Sequence, residues 1–576
     1  RSAFLHSTSV RLSSSLSKGE EEAVAKRREI VNADLKTLLG KELPMQQTPV
    51  IAILGSGGGL RAMIALLGSL CGLKETGLLD SAMYLCGVSG STWAMSSVCE
   101  NPSWVKELDL LVTKILASLG SSGFGFSKDR LLEASKTDVF SCTNIWGTLI
   151  VSQMIKKLYT CTLPEHNDPL ISGKLPYPIY AAIDKDLLNT EKTEMWFEFT
   201  PYEAGFPAYG AFISTKNFGS QFEKGELKHP HPQHDLCYLQ GLWGSALAVK
   251  EILEKYYWQV ILPSKLGRPR VMYKRLCRFS ESLINHVNKG ICFGSNLRPL
   301  LKLNVFSVMQ NTWAIITTRI HLGESGTGSC CSPLGNMQFC LKNAIVMFFC
   351  EWGGGNPNTC LHGLGTLEYK IYWKEYMSIT EMQFVCFLEI LGLVCKMLNV
   401  LESWQWGTNY NFLYGCDSLL SGEQPPSVSS LVNNKFFYLV DAGLAINSAY
   451  PLVLRPQRQV DVIISCDYSA GDDPFLTVKQ AAGYAKANSI PFPEIHVPAG
   501  EVGDCYVYSG AGAPTVIHMP LFNSTNDKIC GLSDYPTLKF SYTEKEVNRL
   551  FEVSKDNIVR NKNKLLEAIG NKLCGS

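Results

Sequence analysis

Two short apolar runs, each ending in a glycine-rich turn, constrain the fold of this chain more than any other feature. Residues 50–54 (VIAIL) lead into GSGGG at 55–59, and residues 82–86 (AMYLC) lead into GVSGS at 87–91. A continuous apolar run is typical of a strand buried on both faces of a mostly parallel sheet. A helix is expected after each turn, in the first case from residue 60 to about 73. Two strand–turn–helix units in succession predict an α/β fold.

Similar apolar runs recur late in the chain. Residues 436–440 (FFYLV) and 462–465 (VIIS) also have the pattern of buried strands. Residues 258–401 lie between the two groups of strands and differ from them in composition. They begin with a cluster of basic residues and contain nine of the 20 cysteines. We interpret this segment as an insertion into the α/β domain.

Helices are predicted near both ends of the chain. Residues 20–39 place apolar side chains at helical spacing among charges, which indicates one amphipathic helix. Thr543 followed by Glu546 is a capping-box pattern at the start of a helix. Six apolar positions after it define one face of a single long helix: Val547, Leu550, Phe551, Ile558, Leu565 and Ile569.

Composition excludes several classes of protein. The 576 residues include 53 Lys+Arg against 52 Asp+Glu, so no overall positive field would attract nucleic acid, and we expect no nucleic-acid partner. The cysteines lack the paired spacing of zinc ligands, and the densest group, from Cys330 to Cys360, is irregular. We therefore interpret most cysteines as buried thiols and predict no metal site.

No segment has the apolar length of a membrane span. The nearest candidate, residues 382–401, contains Glu389 and Lys396, whereas a span needs about 18 apolar residues. The N-terminus also lacks the apolar core of a secretory signal, so we expect an intracellular chain. The first 19 residues are rich in Arg and Ser and carry no acid, which is a transit-peptide composition, and mitochondrial import is a less favoured alternative.

Ser89 stands between two glycines at the end of a predicted strand and before a predicted helix. A serine in such a tight turn is lifted clear of the backbone, as in the nucleophile elbow of hydrolases. The motif here is G-x-S-G-S, with Ser91 at the place of the last glycine. Taken alone, it also fits an ordinary strand-to-helix turn.

The glycines before the first helix favour an anion site. Gly57, Gly58 and Gly59 would present free backbone N–H groups at a helix N-terminus, suited to a developing oxyanion beside Ser89. Nucleotide phosphate is the rival ligand, but the P-loop lysine and the G-x-G-x-x-G order are both missing. Arg61 would add a cation for a substrate phosphate or carboxylate, or would pair with a nearby acid.

A nucleophilic serine needs a base, and the sequence offers two candidates. His518 lies between apolar residues in VIHMP and could complete a Ser/His/Asp triad, although taken alone the pattern favours a buried structural histidine. Asp441 ends the run at 436–440 and is followed by small residues that permit close approach to the sheet edge. A carboxylate can take the serine proton itself if burial raises its basicity.

Eight blocks, in order, make the chain recognisable. They are GSGGGLRAM (55–63), GVSGSTW (87–93), LPYPIYAAID (175–184), WFEFTPYEAGF (196–206), GLWGSAL (241–247), WGTNYNFLY (406–414), LVDAGLAIN (439–447) and DYSAGDDPF (467–475). Together they resemble the group IV cytosolic phospholipase A2 family, most closely its gamma type. Eight ordered blocks are far more specific than any one of them.

The resemblance implies a patatin-like α/β catalytic domain with a central, mostly parallel sheet, helices on both faces and a cap or lid insertion. It assigns the nucleophile to Ser89 and the general base to Asp441, without histidine, which leaves His518 a structural role. It assigns the oxyanion hole to Gly58 and Gly59 and substrate-phosphate contact to Arg61. No cofactor or metal is implied.

The implied organisation is a leader and amphipathic helix at 1–48, then a catalytic domain at 49–576 interrupted by the insertion at 258–401. Residues 1–48 are too few for the C2 sandwich of calcium-activated members, which needs about 100 residues, so calcium independence is expected. Cys574 stands third from the end, whereas a prenylation box has its cysteine fourth from the end. Prenyl anchoring is therefore not assigned.

The expected activity is hydrolysis of the sn-2 ester of glycerophospholipids through an acyl-serine, with lysophospholipase or transacylase activity as a variant. We expect a cytosolic protein that binds intracellular membranes transiently, through basic residues 265–278 or the apolar stretch 345–349. The alternatives are an esterase with a Ser/His/Asp triad and a catalytically inactive lipid-binding protein.

Overall fold

A mixed β-sheet of twelve strands runs through the protein. The structure is a computed structural model that describes residues 8–121, 127–188, 193–249, 403–420, 426–537 and 539–574, together with seven positions between 392 and 401. Nearly all of the predicted insertion, including the basic residues 265–278, the apolar stretch 345–349 and the cysteines from Cys330 to Cys360, therefore lies outside the described residues.

Strands and helices alternate through the first part of the chain and again near its end. The strands are β1 (Arg11–Leu12), β2 (Ile51–Gly55), β3 (Tyr84–Gly87), β4 (Tyr177–Asp184), β5 (Trp196–Phe199), β6 (Glu203–Phe206), β7 (Ala211–Ser214), β8 (Gln221–Glu223), β9 (Glu226–His229), β10 (Thr408–Tyr410), β11 (Phe436–Asp441), β12 (Val462–Asp467), β13 (Tyr506–Tyr508) and β14 (Thr515–Pro520). The helices are α1 (Lys18–Leu39), α2 (Leu60–Thr76), α3 (Gly90–Cys99), α4 (Trp104–Leu119), α5 (Lys128–Ser135), α6 (Cys142–Ile145), α7 (Ser152–Ile155), α8 (Asn167–Ile171), α9 (Lys185–Leu188), α10 (Leu236–Trp243), α11 (Pro426–Asn433), α12 (Tyr450–Val453), α13 (Leu476–Ala487), α14 (Glu544–Arg560) and α15 (Lys562–Cys574).

Five adjacent strands at the centre of the sheet run parallel, in the order β4, β3, β2, β12 and β14. Every residue of these five strands is buried. A strand buried along its whole length is covered on both faces, which explains why the sequence shows continuous apolar runs instead of alternation. Strands β5, β6, β7 and β1 extend the sheet antiparallel on one side, and β13 closes it on the other.

Strand β11 enters the sheet against the direction of the parallel core. It pairs antiparallel with the end of β4, with Asp441 opposite Ala182. Strand β3 pairs parallel with the beginning of β4, with Gly87 opposite Tyr180, while β5 occupies the other edge of β4. Strands β3 and β11 therefore run toward each other along one edge of β4, and their ends meet two register positions apart.

The N-terminal residues are bound to the sheet. Strand β1 pairs with β7, and Arg11 forms an ion pair with Glu203. Helix α1 is anchored by Glu20, which accepts hydrogen bonds from the buried guanidinium of Arg458 at 2.8 and 3.1 Å. Arg458 also binds Glu198, so its charge is compensated within the core. The polar leader thus contains a short strand that the sequence did not predict, and the domain boundary at residue 48 stays a prediction.

Most predicted elements are confirmed within one to three residues. The helix predicted at 20–39 spans Lys18–Leu39, and the four buried strands are present as β2, β3, β11 and β12. The prediction of a single long C-terminal helix is wrong, because the segment forms two helices, α14 and α15, separated at Asn561. The Asn561 carboxamide donates a hydrogen bond to the Asn557 carbonyl in the last turn of α14. Eight of the eleven described cysteines are buried, as predicted. None of the described helices is both long enough and apolar enough to cross a membrane.

Candidate active site

Ser89 occupies a strained turn between β3 and α3. Its backbone has φ 52° and ψ −124°, a region that residues with a side chain rarely adopt. Two hydrogen bonds hold the turn: Thr92 Oγ1 donates to the Ser89 carbonyl at 2.5 Å, and Ser91 Oγ donates to the Ser56 carbonyl at 2.6 Å. The second bond ties the turn to the neighbouring glycine loop. The local geometry is therefore that of the predicted elbow.

The glycine loop lies directly beside this elbow. A Cβ atom on Gly57 would lie 3.0 Å from Ser89 Cβ, and Gly58 and Gly59 have φ angles of 149° and 60° at the start of α2. Within the described part of the chain, the N–H groups of Gly58 and Gly59 donate no hydrogen bond. Two unengaged donors at the N-terminus of a 17-residue helix are suited to bind an anion next to Ser89.

Asp441 is buried at the end of β11, where the turn that follows fixes its carboxylate. Oδ1 accepts a hydrogen bond from the Gly443 N–H at 2.8 Å, and the Asp441 N–H donates to Ser245 Oγ at 3.1 Å. Burial raises the pKa of this carboxyl from 3.8 to about 7, although contacts with the Ser89 hydroxyl and the Gly443 N–H lower it in part. A carboxylate with such a pKa is a much stronger base than a surface aspartate.

Ser89 and Asp441 face each other because β3 and β11 end at the same point on the edge of β4. The Ser89 hydroxyl is a hydrogen-bonding neighbour of the Asp441 carboxyl. Oδ2 is nevertheless buried without a bond of ordinary length and angle from any described residue. An oxygen of the Asp441 carboxyl is thus left available to accept the proton of a neighbouring hydroxyl. The structure brings together the serine and the carboxylate that the sequence singled out.

Arg61 lies beneath the glycine loop and is almost completely buried. Its guanidinium donates to the carbonyls of Tyr468 at 2.8 Å and Tyr535 at 2.6 Å, and to Thr537 Oγ1 at 3.2 Å. A Cβ atom on Gly58 would lie 2.6 Å from Arg61 Nη2, so the guanidinium packs directly against the glycine loop. These contacts give Arg61 a bracing role, and its predicted contact with substrate phosphate stays a prediction.

His518 is remote from Ser89. In the register of the sheet, His518 on β14 lies opposite Ser465 on β12. Ser465 lies opposite Leu54 on β2, and Leu54 lies opposite Cys86 on β3, so three strand spacings separate His518 from β3. At about 4.8 Å per strand, that separation is about 14 Å. His518 Nε2 instead bonds the Pro474 carbonyl at 2.9 Å, and burial lowers the pKa of its imidazole. The geometry does not support the triad alternative.

Two further side chains contact the site and were not singled out from the sequence. Ser245 accepts the N–H of Asp441, and Asn447 bonds the backbone of Gly57. Both lie inside blocks that carry the family resemblance, which is the signal that could have found them. The described residues contain no group of three or more His, Cys, Asp or Glu side chains arranged to hold a metal ion.

The fold and this arrangement define an α/β enzyme of the patatin-like class. The Lysophospholipase catalytic domain model matches residues 51–114 and 133–266. The solved structure of human GIVD cytosolic phospholipase A2 superposes with a TM-score of 0.67 at 22% identity, covering 99% of this chain and 69% of that one. That likeness establishes the fold.

Sequence comparison goes further than the fold. The chain is 35% identical to cytosolic phospholipase A2 gamma of mouse, over 96% of this chain and 90% of the relative. It is 34% identical to cytosolic phospholipase A2 gamma of human, over 98% and 96% respectively. The chain belongs to the group IV cytosolic phospholipase A2 family and is an enzyme of the phospholipase class.

Proposed function

We propose that this protein hydrolyses the sn-2 ester of glycerophospholipids through a Ser89/Asp441 dyad and an acyl-Ser89 intermediate. The observation that carries the proposal is the buried Asp441 carboxyl, with its pKa raised to about 7, beside a serine on a strained elbow. The names of the relatives supply the substrate class, and the site supplies the chemistry.

Acylation uses the groups already described. Asp441 takes the proton of the Ser89 hydroxyl as Oγ attacks the ester carbonyl carbon, and the carbonyl oxygen becomes an oxyanion. The Gly58 and Gly59 N–H groups stabilise that charge, a contribution of about 3–4 kcal/mol per donor in related chemistry. The proton then passes from Asp441 to the leaving oxygen, which releases a lysophospholipid and leaves the fatty acid on Ser89.

Deacylation repeats the sequence with a new nucleophile. Water gives its proton to Asp441 and attacks the acyl carbon, the bond to Ser89 Oγ breaks, and the proton returns to Ser89. A lysophospholipid whose remaining ester occupies the same position would be cleaved in the same way, and a lysolipid hydroxyl in place of water would give transacylation. Hydrolysis, lysophospholipase action and transacylation therefore share one intermediate.

The strength of the base suits neutral pH. A carboxyl with a pKa near 7 is about half ionised at neutral pH, and its ionised form accepts a proton more readily than that of a carboxyl with a pKa near 4. Its burial is therefore what allows an aspartate to act without a histidine. The same burial makes this charge costly to the folded state.

Calcium independence and membrane contact belong to the proposal. Each chemical step is assigned to a protein group, so we expect full activity in excess chelator. We also propose a cytosolic protein that binds membrane surfaces transiently. Segments 265–278 and 345–349 are the candidates, and vesicle sedimentation unchanged by deleting both would exclude them.

The test of the activity is fatty-acid release from phospholipid vesicles carrying a distinguishable sn-2 chain. Ser89→Ala should lower the rate of fatty-acid release by at least about three orders of magnitude. The variant should retain the thermal unfolding transition of the wild type. A folded Ser89→Ala protein with wild-type release would exclude an acyl-Ser89 intermediate.

A further inference from the structure

Asn447 connects the two halves of the site. Its side-chain Nδ2 donates to the Gly57 carbonyl at 3.1 Å and to Ser469 Oγ at 2.7 Å. Its backbone carbonyl accepts the Gly57 N–H at 3.0 Å. Because the Gly57 carbonyl can only accept, these bonds fix which end of the carboxamide is nitrogen and which is oxygen.

The oxygen of this carboxamide faces the dyad. A Cβ atom on Gly57 would lie 2.4 Å from Asn447 Oδ1 and 3.0 Å from Ser89 Cβ. A Cβ atom on Gly443 would lie 2.9 Å from the same Oδ1 and 3.1 Å from Asp441 Oδ1. Oδ1 therefore stands between the glycine loop and the Asp441 turn, on the side where both catalytic side chains lie.

Hydrogen bonding leaves this oxygen available within the described part of the chain. None of the described residues donates a hydrogen bond to Oδ1, and the Asn447 side chain is only half-buried. A fixed acceptor beside a nucleophile and its base is suited to hold a small hydroxylic reactant. The acceptor is not needed for acylation, in which Asp441 receives the only proton that moves.

We propose that Asn447 Oδ1 accepts a hydrogen bond from the water that attacks acyl-Ser89, and so favours hydrolysis over transfer of the acyl group to an alcohol. This inference rests on the proposed acyl-serine mechanism. Water has two hydrogens: one passes to Asp441 as the oxygen attacks, and the other is held by Asn447. An alcohol has only one, which Asp441 needs.

The difference between water and alcohol makes the role measurable. Removing Oδ1 should slow attack by water more than attack by methanol, because methanol carries a carbon where water carries its second hydrogen. The backbone bond from Gly57 to Asn447 persists in any substitution, so the glycine loop keeps one of its links. Acylation should therefore be affected less than hydrolysis.

The experiment compares Asn447→Ala with the wild type in phospholipid vesicles containing a fixed concentration of methanol. The ratio of fatty-acid methyl ester to free fatty acid should rise at least about fivefold, as expected for the loss of one hydrogen bond to water. The rate at which a fluorophosphonate labels Ser89 should stay within about threefold. Asn433→Ala, at an exposed asparagine at the end of α11, is the matched control and should change neither quantity.

An unchanged product ratio in a variant that still labels at Ser89 would overturn the inference, because a structural role alone would slow both products equally. If Asn447→Ala fails to label, the ratio is measured on Asn447→Ser, which also lacks the carboxamide oxygen, and the same two outcomes apply. A wild-type chain that neither labels nor forms either product would refute the proposed function itself, and this inference with it.

Discussion

The carbonyl oxygen of Gly59 lies against the α-carbon of Gly90: a Cβ atom on Gly90 would be only 1.9 Å from it. The oxyanion loop and the serine elbow therefore pack backbone to backbone. This contact fixes the distance between the proposed oxyanion donors and the Ser89 hydroxyl. Any side chain between them would separate the groups that must act on one carbonyl.

Gly90→Ala should therefore reduce activity as well as stability. We expect kcat/KM to fall at least about a hundredfold, because misplacement by 1 Å is enough for such a loss, with destabilisation of about 1–3 kcal/mol. Gly483→Ala in α13 is the control: among the described residues, nothing outside its chain neighbours and its own helix backbone lies within 4 Å of the added methyl group, and the substitution should leave activity unchanged. Steady-state kinetics and thermal unfolding of both variants check the prediction, and a fully active Gly90→Ala enzyme would contradict it.

The acid limb of the rate profile should report Asp441. Because burial raises the pKa of this carboxyl to about 7, the base is protonated below that pH, and log kcat/KM should fall with unit slope as pH decreases. The measurement is kcat/KM between pH 5 and 9 with a substrate that does not titrate in that range. A profile that stays flat down to pH 5 would contradict this, because it would mean that the base is an ordinary exposed carboxylate with a pKa near 4.

Asp441→Asn should stabilise the protein at neutral and alkaline pH. The folded pKa is raised above the unfolded value of 3.8, so the wild type is fully stabilised below about pH 4 and loses that stability as pH rises to about 7. The uncharged variant avoids the loss, and its advantage should grow with pH toward an upper limit of about 4 kcal/mol. Urea unfolding at pH 5 and pH 8 tests the direction; an advantage that shrinks as pH rises would contradict it.

The substitution Arg61→Gln distinguishes two roles of Arg61, which are support of the glycine loop and contact with the substrate phosphate. The substitution leaves the Tyr468 and Tyr535 carbonyls without their charged donor, and we expect about 3 kcal/mol of destabilisation. If Arg61 acts by holding the glycine loop, kcat should fall by a similar factor for a phospholipid and for an uncharged ester. A rise in KM confined to the phospholipid would show instead that Arg61 binds the phosphate.

The local parts of this site could be predicted from the sequence. Strands β2 and β3 are recognisable as apolar runs because both of their faces are buried. The glycines that follow each strand indicate tight turns, which larger residues would not fit. The motifs singled out Ser89 and Asp441, and the resemblance to the family then assigned them the roles of nucleophile and base. Each of these predictions depends on residues close together in the chain or on a motif.

The relations between distant segments could not be predicted from local sequence patterns, and only the family resemblance paired Asp441 with Ser89. The approach of Asp441 to Ser89 depends on β11 entering antiparallel against β4, which no pattern within β11 indicates. Asn447 and Arg61 reach their partners across hundreds of residues, and the buried pair of Glu20 with Arg458 looks in sequence like two ordinary surface charges. The burial that raises the pKa of Asp441 is likewise a property of the assembled fold.

The most direct test of the dyad is the rate at which a fluorophosphonate labels Ser89, located by mass spectrometry, in three folded proteins. The wild type should label at Ser89, Asp441→Asn should label at least about a hundredfold more slowly, and His518→Asn should label within about threefold of the wild type. Rapid labelling of Asp441→Asn, together with a large loss in His518→Asn, would contradict the assignment of Asp441 as the base.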